Sequence, residues 1–333
     1  MPYMTLFLAS LLLGTVLSLS GTHWIFVWLG LELNLLSFIP LLTSSSTHRT
    51  ADAAMMYFLA QALGSSLLLL GAATLFISPH ISYSHFFSLI LFFGLLTKLG
   101  LPPCHFWFPS VMSLISWPLC ILLTTWQKLT PMLMLFIMLQ PNPGVTLTLS
   151  VILGAIVGGV GGMNQSRLRP LLAYSSIGHM SWMLAASTTS TTVSLIYLMI
   201  YIITTIPLML LLNRSASNSN ITSMNITSSN QLHSINLLLL ISSLGGLPPF
   251  LGFLPKWMVM ESLNTSFIFI LFFTLLGSML NLYYYLNLIF INILTPLKLP
   301  MILTPASPPS NFPTFPLLAT LTLGISPSLI LFL

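Results

Sequence analysis

Gly100-Leu101-Pro102-Pro103-Cys104-His105-Phe106-Trp107-Phe108-Pro109 and Gly246-Leu247-Pro248-Pro249-Phe250-Leu251-Gly252-Phe253-Leu254-Pro255 decide the fold, and five of their ten positions are identical without a gap. Each stretch lies within otherwise apolar sequence. Tandem prolines withdraw two amide donors and clash with the preceding turn, so each stretch interrupts a helix. Where the surroundings are hydrocarbon, the freed backbone groups need water or polar partners, and an interruption of this kind lines a cavity.

The surroundings are hydrocarbon. Of 333 residues, 56% are hydrophobic and 3% are Asp, Glu, Lys or Arg, whereas a soluble chain carries about 25% charge. Apolar runs repeatedly exceed the ~18 residues that cross ~30 Å of bilayer core. Only helices and closed barrels satisfy their backbone there, and these runs are too long for barrel strands. The fold class is therefore an all-α polytopic membrane protein. The opening Met1-Pro2-Tyr3-Met4 has no basic flank and reads as uncleaved. Cys104 and Cys120 stand alone in apolar sequence and read as packing residues, which argues against disulfide, zinc and iron–sulfur chemistry. The formal charge of +5 is spread over single basic residues, so it reports topology and not a nucleic-acid partner.

Polar, Pro-rich and charged breaks divide the chain into eleven predicted spans, beginning near residues 3, 23, 51, 86, 117, 146, 168, 190, 236, 266 and 313. The stretches Ser190 to Leu212 and Ser266 to Leu294 carry no charge at all. Asn213 to His233, rich in Ser and Asn, reads as a loop outside the membrane, and Thr295 to Asn311, with five prolines, as an extended connection. Two sequon-like triplets in that loop, at Asn220 and Asn225, read as ordinary polar sequence. With eleven spans, Arg49, Arg167, Arg169, Arg214 and Lys298 all fall on one face, which places the N-terminus inside and the C-terminus outside.

The two Pro-Pro breaks fall in spans four and nine, five crossings apart. Five is odd, so the two broken helices run in opposite directions. The chain is then one membrane domain, 1–333, with residues 1–145 as a first five-helix repeat and 146–294 as a second, inverted one. Residues 295–333 supply the extended connection and a final helix. Inverted repeats with broken helices are an architecture in which transporters hold ions at the bilayer midplane. The competing reading is two independent kinks.

Setting aside loop charges leaves Glu32, Asp52, Lys98, Lys128, Lys256 and Glu261. Glu32, Lys98 and Lys128 each lie about nine to twelve residues into a span, near the midplane at ~1.5 Å per residue. An ionised group at that depth costs at least ~2.5–3.5 kcal/mol, which pairing, hydration or loss of charge must offset. Those remedies are also the parts of a proton relay, because the charge at one site then governs protonation at the next. Lys98 precedes the first break and Lys256 follows the second. His105 and His179 are candidate links, since imidazole both accepts and donates a proton near neutrality. On undistorted helices Ser175 stands one turn from His179, and Thr124 one turn from Lys128. Each histidine has a plainer reading as a hydrogen-bonded core residue. Asp52 reads as an interfacial charge at a helix start, and Glu261 as a structural or gating group near the outer interface.

The stretches Trp28-Leu29-Gly30-Leu31-Glu32-Leu33-Asn34, Lys98 to Trp107, Trp126-Gln127-Lys128-Leu129-Thr130-Pro131, Tyr174-Ser175-Ser176-Ile177-Gly178-His179 and Phe253-Leu254-Pro255-Lys256-Trp257 together carry a specific resemblance. Along essentially its whole length the chain resembles the antiporter-like chain 2 family of mitochondrial NADH:ubiquinone oxidoreductase, respiratory complex I, in its short animal form. The resemblance implies a proton-translocating subunit in the membrane arm of the mitochondrial inner membrane. It implies that Glu32 pairs with Lys98, that Lys128 is the central lysine, and that Lys256 is the ion-handling lysine of the second repeat. It implies no cofactor in this chain, with NADH, FMN, iron–sulfur clusters and ubiquinone bound by other subunits. The implied partners are neighbouring antiporter-like, small membrane and accessory subunits, together with lipids such as cardiolipin.

Three rivals remain to be weighed. A stand-alone cation/proton antiporter would share the broken-helix repeat but not these motifs. A haem-bearing subunit needs axial histidine pairs, which positions 23, 48, 80, 85, 105, 179 and 233 do not offer. A passive scaffold would have apolar residues where the buried lysines stand.

Overall fold

The computed structural model describes residues 2–44, 48–77, 84–138, 144–218, 231–264 and 267–294. In chain order the helices are α1 (Pro2–Ser20), α2 (Trp24–Leu42), α3 (His48–Ile77), α4 (Ser84–Leu99), α5 (Trp107–Leu114), α6 (Trp117–Ile121), α7 (Gln127–Met138), α8 (Val145–Met163), α9 (Leu168–Ser187), α10 (Thr191–Asn218), α11 (Gln231–Gly245), α12 (Phe253–Asn264) and α13 (Ile268–Leu294). A five-residue π segment, Leu122–Trp126, joins α6 to α7. Helix starts fall within about five residues of the first ten predicted ones, and the eleventh span, Lys298 and both sequon-like triplets lie outside the described residues.

Seven of these helical stretches are long and apolar enough to cross a bilayer. The predicted spans that fall short do so for two reasons. Spans four and nine are each two half-helices, and α9 is too polar along its length. The stretch read as a loop from Asn213 needs correcting, because α10 continues through Arg214 to Asn218.

How the broken helices stop is common to both. At the end of α4, Gly100 N–H donates to Thr97 O (3.2 Å) and Leu101 N–H to Leu96 O (3.0 Å); at the end of α11, Gly246 N–H donates to Ser243 O (3.0 Å) and Leu247 N–H to Ser242 O (3.4 Å). These paired bonds form the Schellman C-cap, which needs a left-handed residue just past the helix. Gly100 (φ 71°) and Gly246 (φ 78°) supply it. The glycines end the helices, and the prolines behind them prevent resumption.

Residues with small side chains let the helices approach closely. A Cβ on Gly158 of α8 would stand 2.7 Å from the amide nitrogen of Gly178 in α9, so the two backbones touch there. Van der Waals contact of this kind holds helices together where lipid removes the hydrophobic drive between them. Around the bundle the side chains are apolar and bare, as at Leu63 (67% exposed). At its centre lies α9, in contact with α5, α8, α10, α12 and α13 and buried along nearly its whole length.

Candidate functional site

Lys98, Lys128, His179 and Lys256 are each only 6% exposed, so four ionisable groups sit inside an apolar bundle. The structure arranges them in two regions that meet at Lys128.

The first region is a cavity of about 20 Å³ lined by Leu31, Asn34, Tyr57, Gln61, Lys98, Leu99, Trp107, Phe108, Leu123, Gln127, Lys128 and Pro131. One water needs ~10–15 Å³ and two to four polar partners, and this cavity offers both. The π segment places Lys128 there. Its extra residue per turn brings Leu123, Gln127, Lys128 and Pro131 onto one wall. Thr124 and Thr125 brace the wide turn by bonding Cys120 O (2.9 Å) and Ile121 O (2.7 Å). Pro131, lacking an N–H, removes the helical donor of the Gln127 carbonyl.

The C-terminus of α4 faces the same cavity. Lys98 O would receive its helical bond from Pro102, which has no N–H, and the Gln61 side-chain amide donates to it instead (3.1 Å). Trp107 Nε1 donates to Thr97 O (3.1 Å). Glu32 stands on α2, half-buried, and its carboxylate acts electrostatically on Lys98 and Tyr57. Its Oε2 is enclosed with no hydrogen-bond partner.

Beyond Lys128 the surroundings change. Its ammonium lies 4.2 Å from the centroid of the Phe108 ring and donates to Ser176 Oγ (3.0 Å). Thr124, in the π segment, bonds Cys120 O, meets Met209 Sδ (3.5 Å) and lines one small space with Lys128. Ser176 is the α9 serine bonded to Lys128, while Ser175 turns back to Leu172 O (2.9 Å). Three residues further along α9, His179 meets the Tyr197 hydroxyl at Nδ1 (3.0 Å). Lys256 donates to the carbonyl at the end of α11, Gly245 O (2.8 Å). Leu244 and Gly245 are the residues whose helical donors would come from Pro248 and Pro249. In the second break, then, an ionisable side chain, Lys256, occupies one of the two acceptors that the tandem prolines leave empty.

His105 takes no part in this line. It lies in the connection between α4 and α5, stacked on Phe106 (centroids 4.0 Å apart), with Cys104 and Phe106 exposed beside it. Asp52 and Glu261 are exposed on α3 and α12. Cys120 is buried as expected of a packing residue, whereas Cys104 is exposed; both are free thiols. The sequence reading passed over Gln61, Tyr197 and Tyr201. The last two lie in the span singled out for carrying no charge, and a search for charge does not find hydroxyls.

Residues 21–281 match the family described as NADH:quinone oxidoreductase/Mrp antiporter, TM. The chain is similar to NADH-ubiquinone oxidoreductase chain 2 of Lumbricus terrestris, 39% identical over 332 residues and covering 99% of this chain and 98% of that one. It is also similar to the protein of that name from Oryctolagus cuniculus, 37% identical over 86% of this chain and 84% of the relative. Among solved structures, a chain of respiratory complex I from Thermus thermophilus with bound Aureothin superposes with a TM-score of 0.82 at 25% identity, covering 99% of this chain and 79% of that chain.

Proposed function

The chain belongs to the NADH-ubiquinone oxidoreductase chain 2 family, and from that premise we propose that it moves a proton from the mitochondrial matrix to the intermembrane space through Glu32, Lys98, Lys128 and Lys256. It is a multi-pass, antiporter-like subunit of a proton-translocating NADH:ubiquinone reductase of the inner membrane. Electron transfer from NADH to ubiquinone takes place on other subunits, which hold FMN, iron–sulfur clusters and ubiquinone. This chain contributes buried ionisable groups and no redox centre.

The observation that carries the reading is the polar cavity shared by Lys98 and Lys128. Two lysines on one cavity repel when both are charged, and the repulsion is strong where the effective dielectric constant is about 20 or less. A proton arriving at Lys98 therefore favours its departure from Lys128. Glu32 sets the balance: its carboxylate favours the charged form of Lys98, and withdrawing that influence releases the proton towards the cavity. His179 links the central lysine to Lys256. His105, at an exposed edge, is placed to exchange protons with the surroundings and not to relay them internally.

The same reading proposes eleven crossings, with residues 1–145 and 146–294 as inverted five-helix repeats and 295–333 as connection and final helix. The repeated Gly-Leu-Pro-Pro caps support it, since both end their helices with the same pair of backbone bonds. It sets the N-terminus in the matrix and the C-terminus in the intermembrane space. The exposed apolar faces of α1, α3 and α13 then meet neighbouring antiporter-like, small membrane and accessory subunits, or lipids including cardiolipin. The test is the number of protons moved per electron by assembled complex carrying Glu32→Gln or Lys128→Ala. Both variants should lower it while inserting normally, and an unchanged ratio in both removes these residues from the route.

A further inference from the structure

The three buried lysines are held in three different ways. Lys98 has the Glu32 carboxylate acting on it, and Lys256 has the carbonyl of Gly245 at 2.8 Å. Lys128 has neither: among the described residues no carboxylate pairs with it, and Asp52 and Glu261 lie exposed on α3 and α12. Its ammonium rests instead between an uncharged oxygen, Ser176 Oγ (3.0 Å), and the face of the Phe108 ring, whose centroid is 4.2 Å away.

The ring is built into that position. Phe108 is fully enclosed in the first turn of α5, just past the first break, and its N–H donates to His105 O (3.1 Å). Trp107 packs against it edge-on, with centroids 5.6 Å apart at 77°, and Tyr57 packs on Trp107 in the same manner at 5.8 Å. Both Phe108 and Lys128 line the cavity that Lys98 shares. A cation taken out of water is attracted to a ring face more strongly than one at an exposed site, and Lys128 is buried.

We propose that Phe108 is a positioning residue for the central lysine, its ring face keeping the Lys128 ammonium charged and in place beside the Lys98 cavity between proton transfers. The proposal rests on the lysine route above and adds to it a residue that route does not name. A carboxylate at this distance would hold the proton too firmly for a relay, because opposite charges attract strongly where the dielectric constant is low. A ring face attracts the cation by a fraction of that and has no lone pair to take the proton. An ammonium has three N–H donors. With one on Ser176 Oγ and the ring covering another side, the third is left for the cavity. The ring therefore stabilises the charge without offering the proton a way out on its own side.

The test uses assembled complex in sealed vesicles, with proton translocation per complex measured during NADH oxidation for Phe108→Leu, Phe108→Met, Phe108→Tyr and Lys128→Met. Leucine and methionine keep an apolar side chain and lose the ring, so both should lower translocation on the order of tenfold, the worth of a desolvated cation–π contact. Phe108→Tyr keeps the ring and should stay within about twofold of the unaltered protein. The thermal midpoint of the complex separates charge from packing. Phe108→Leu should lower it further when Lys128 is present than in the Lys128→Met background, since lost packing costs the same in both. Normal translocation in Phe108→Leu and Phe108→Met, with Lys128→Met inactive, overturns the role of Phe108 and leaves the lysine route standing. An equal fall in midpoint in both backgrounds overturns it as well, and so does a loss in Phe108→Tyr as large as in Phe108→Leu, because shape alone would then explain the site. Normal translocation by Lys128→Met overturns the route itself, and the role of Phe108 with it.

Discussion

The two Pro-Pro breaks are built alike and completed differently. Each ends its helix at a left-handed glycine, and each leaves two carbonyls whose helical donors would be proline nitrogens. At the first break a neutral amide, Gln61, takes the Lys98 carbonyl, and Lys98 itself turns its ammonium to the cavity. At the second break Lys256 takes the Gly245 carbonyl directly. A partially negative helix C-terminus stabilises a nearby cation, by about 0.3–1 kcal/mol at exposed sites and more when buried. One backbone motif thus frees a lysine in one place and holds a lysine in another. The difference lies in which side chain reaches the orphaned carbonyls.

The largest effect in this comparison should come from the glycines. A Cβ on Gly246 would stand 2.7 Å from Lys256 Nζ, whereas a Cβ on Gly100 would stand 2.8 Å from the Cβ of Phe108 and 3.2 Å from the Trp107 ring. Both Gly→Ala changes also force an L-residue into left-handed backbone, at about 1–2 kcal/mol. Gly246→Ala should therefore dislodge Lys256 from Gly245 O and lower proton translocation in complex that still assembles. Gly100→Ala, pressing on two packed aromatic rings, should chiefly reduce the amount of assembled complex. Translocation per assembled complex, measured for both, separates them, and equal losses per complex would mean that the breaks do not differ in the way described.

Gln61→Leu should have a middling effect. It leaves a buried carbonyl without a donor, at ~1–3 kcal/mol, in the wall of the Lys98 cavity. The thermal midpoint of the complex should fall, and Lys98 should turn towards its own carbonyl, as Lys256 does in the second break. Translocation then drops moderately. Gln61→Glu sharpens the point, because a carboxylate cannot donate to that carbonyl unless protonated, so its stability should rise as pH falls. An unchanged midpoint in Gln61→Leu would show that the Lys98 carbonyl does not depend on this amide.

Much of this was legible in the amino-acid sequence, and the gaps have physical causes. The breaks could be read because tandem prolines exclude a continuous helix, though the stop comes from the glycine before them. The buried lysines could be read because intramembrane charge is rare. Ser175 was named for standing one turn from His179, and Ser176 was given no role. The bond from Lys128 to Ser176 was out of reach of such counting, because it joins two helices and Lys128 directly follows a π segment that helical periodicity does not contain. Tyr197 and Tyr201 were hidden in a span whose lack of charge made it look like plain membrane anchor. The span least like a membrane helix by hydropathy, α9, proves the most enclosed, because contact with five helices removes any need to face lipid.

The smallest effect belongs to Trp107→Phe, and it tests the bookkeeping of the first break most finely. The Thr97 carbonyl accepts from both Gly100 N–H (3.2 Å) and Trp107 Nε1 (3.1 Å). Phenylalanine removes the second donor and leaves the first, so the carbonyl is never stranded. The cost should sit at the low end of a hydrogen bond, about 0.5 kcal/mol, together with the packing lost where the indole meets Tyr57 edge-on at 5.8 Å. If the orphaned carbonyls govern each break, this change should barely alter translocation, whereas Gln61→Leu alters it visibly. A loss in Trp107→Phe as large as in Gln61→Leu would shift the explanation from carbonyl satisfaction to the shape of the cavity wall, since Trp107 and Gln61 both line it.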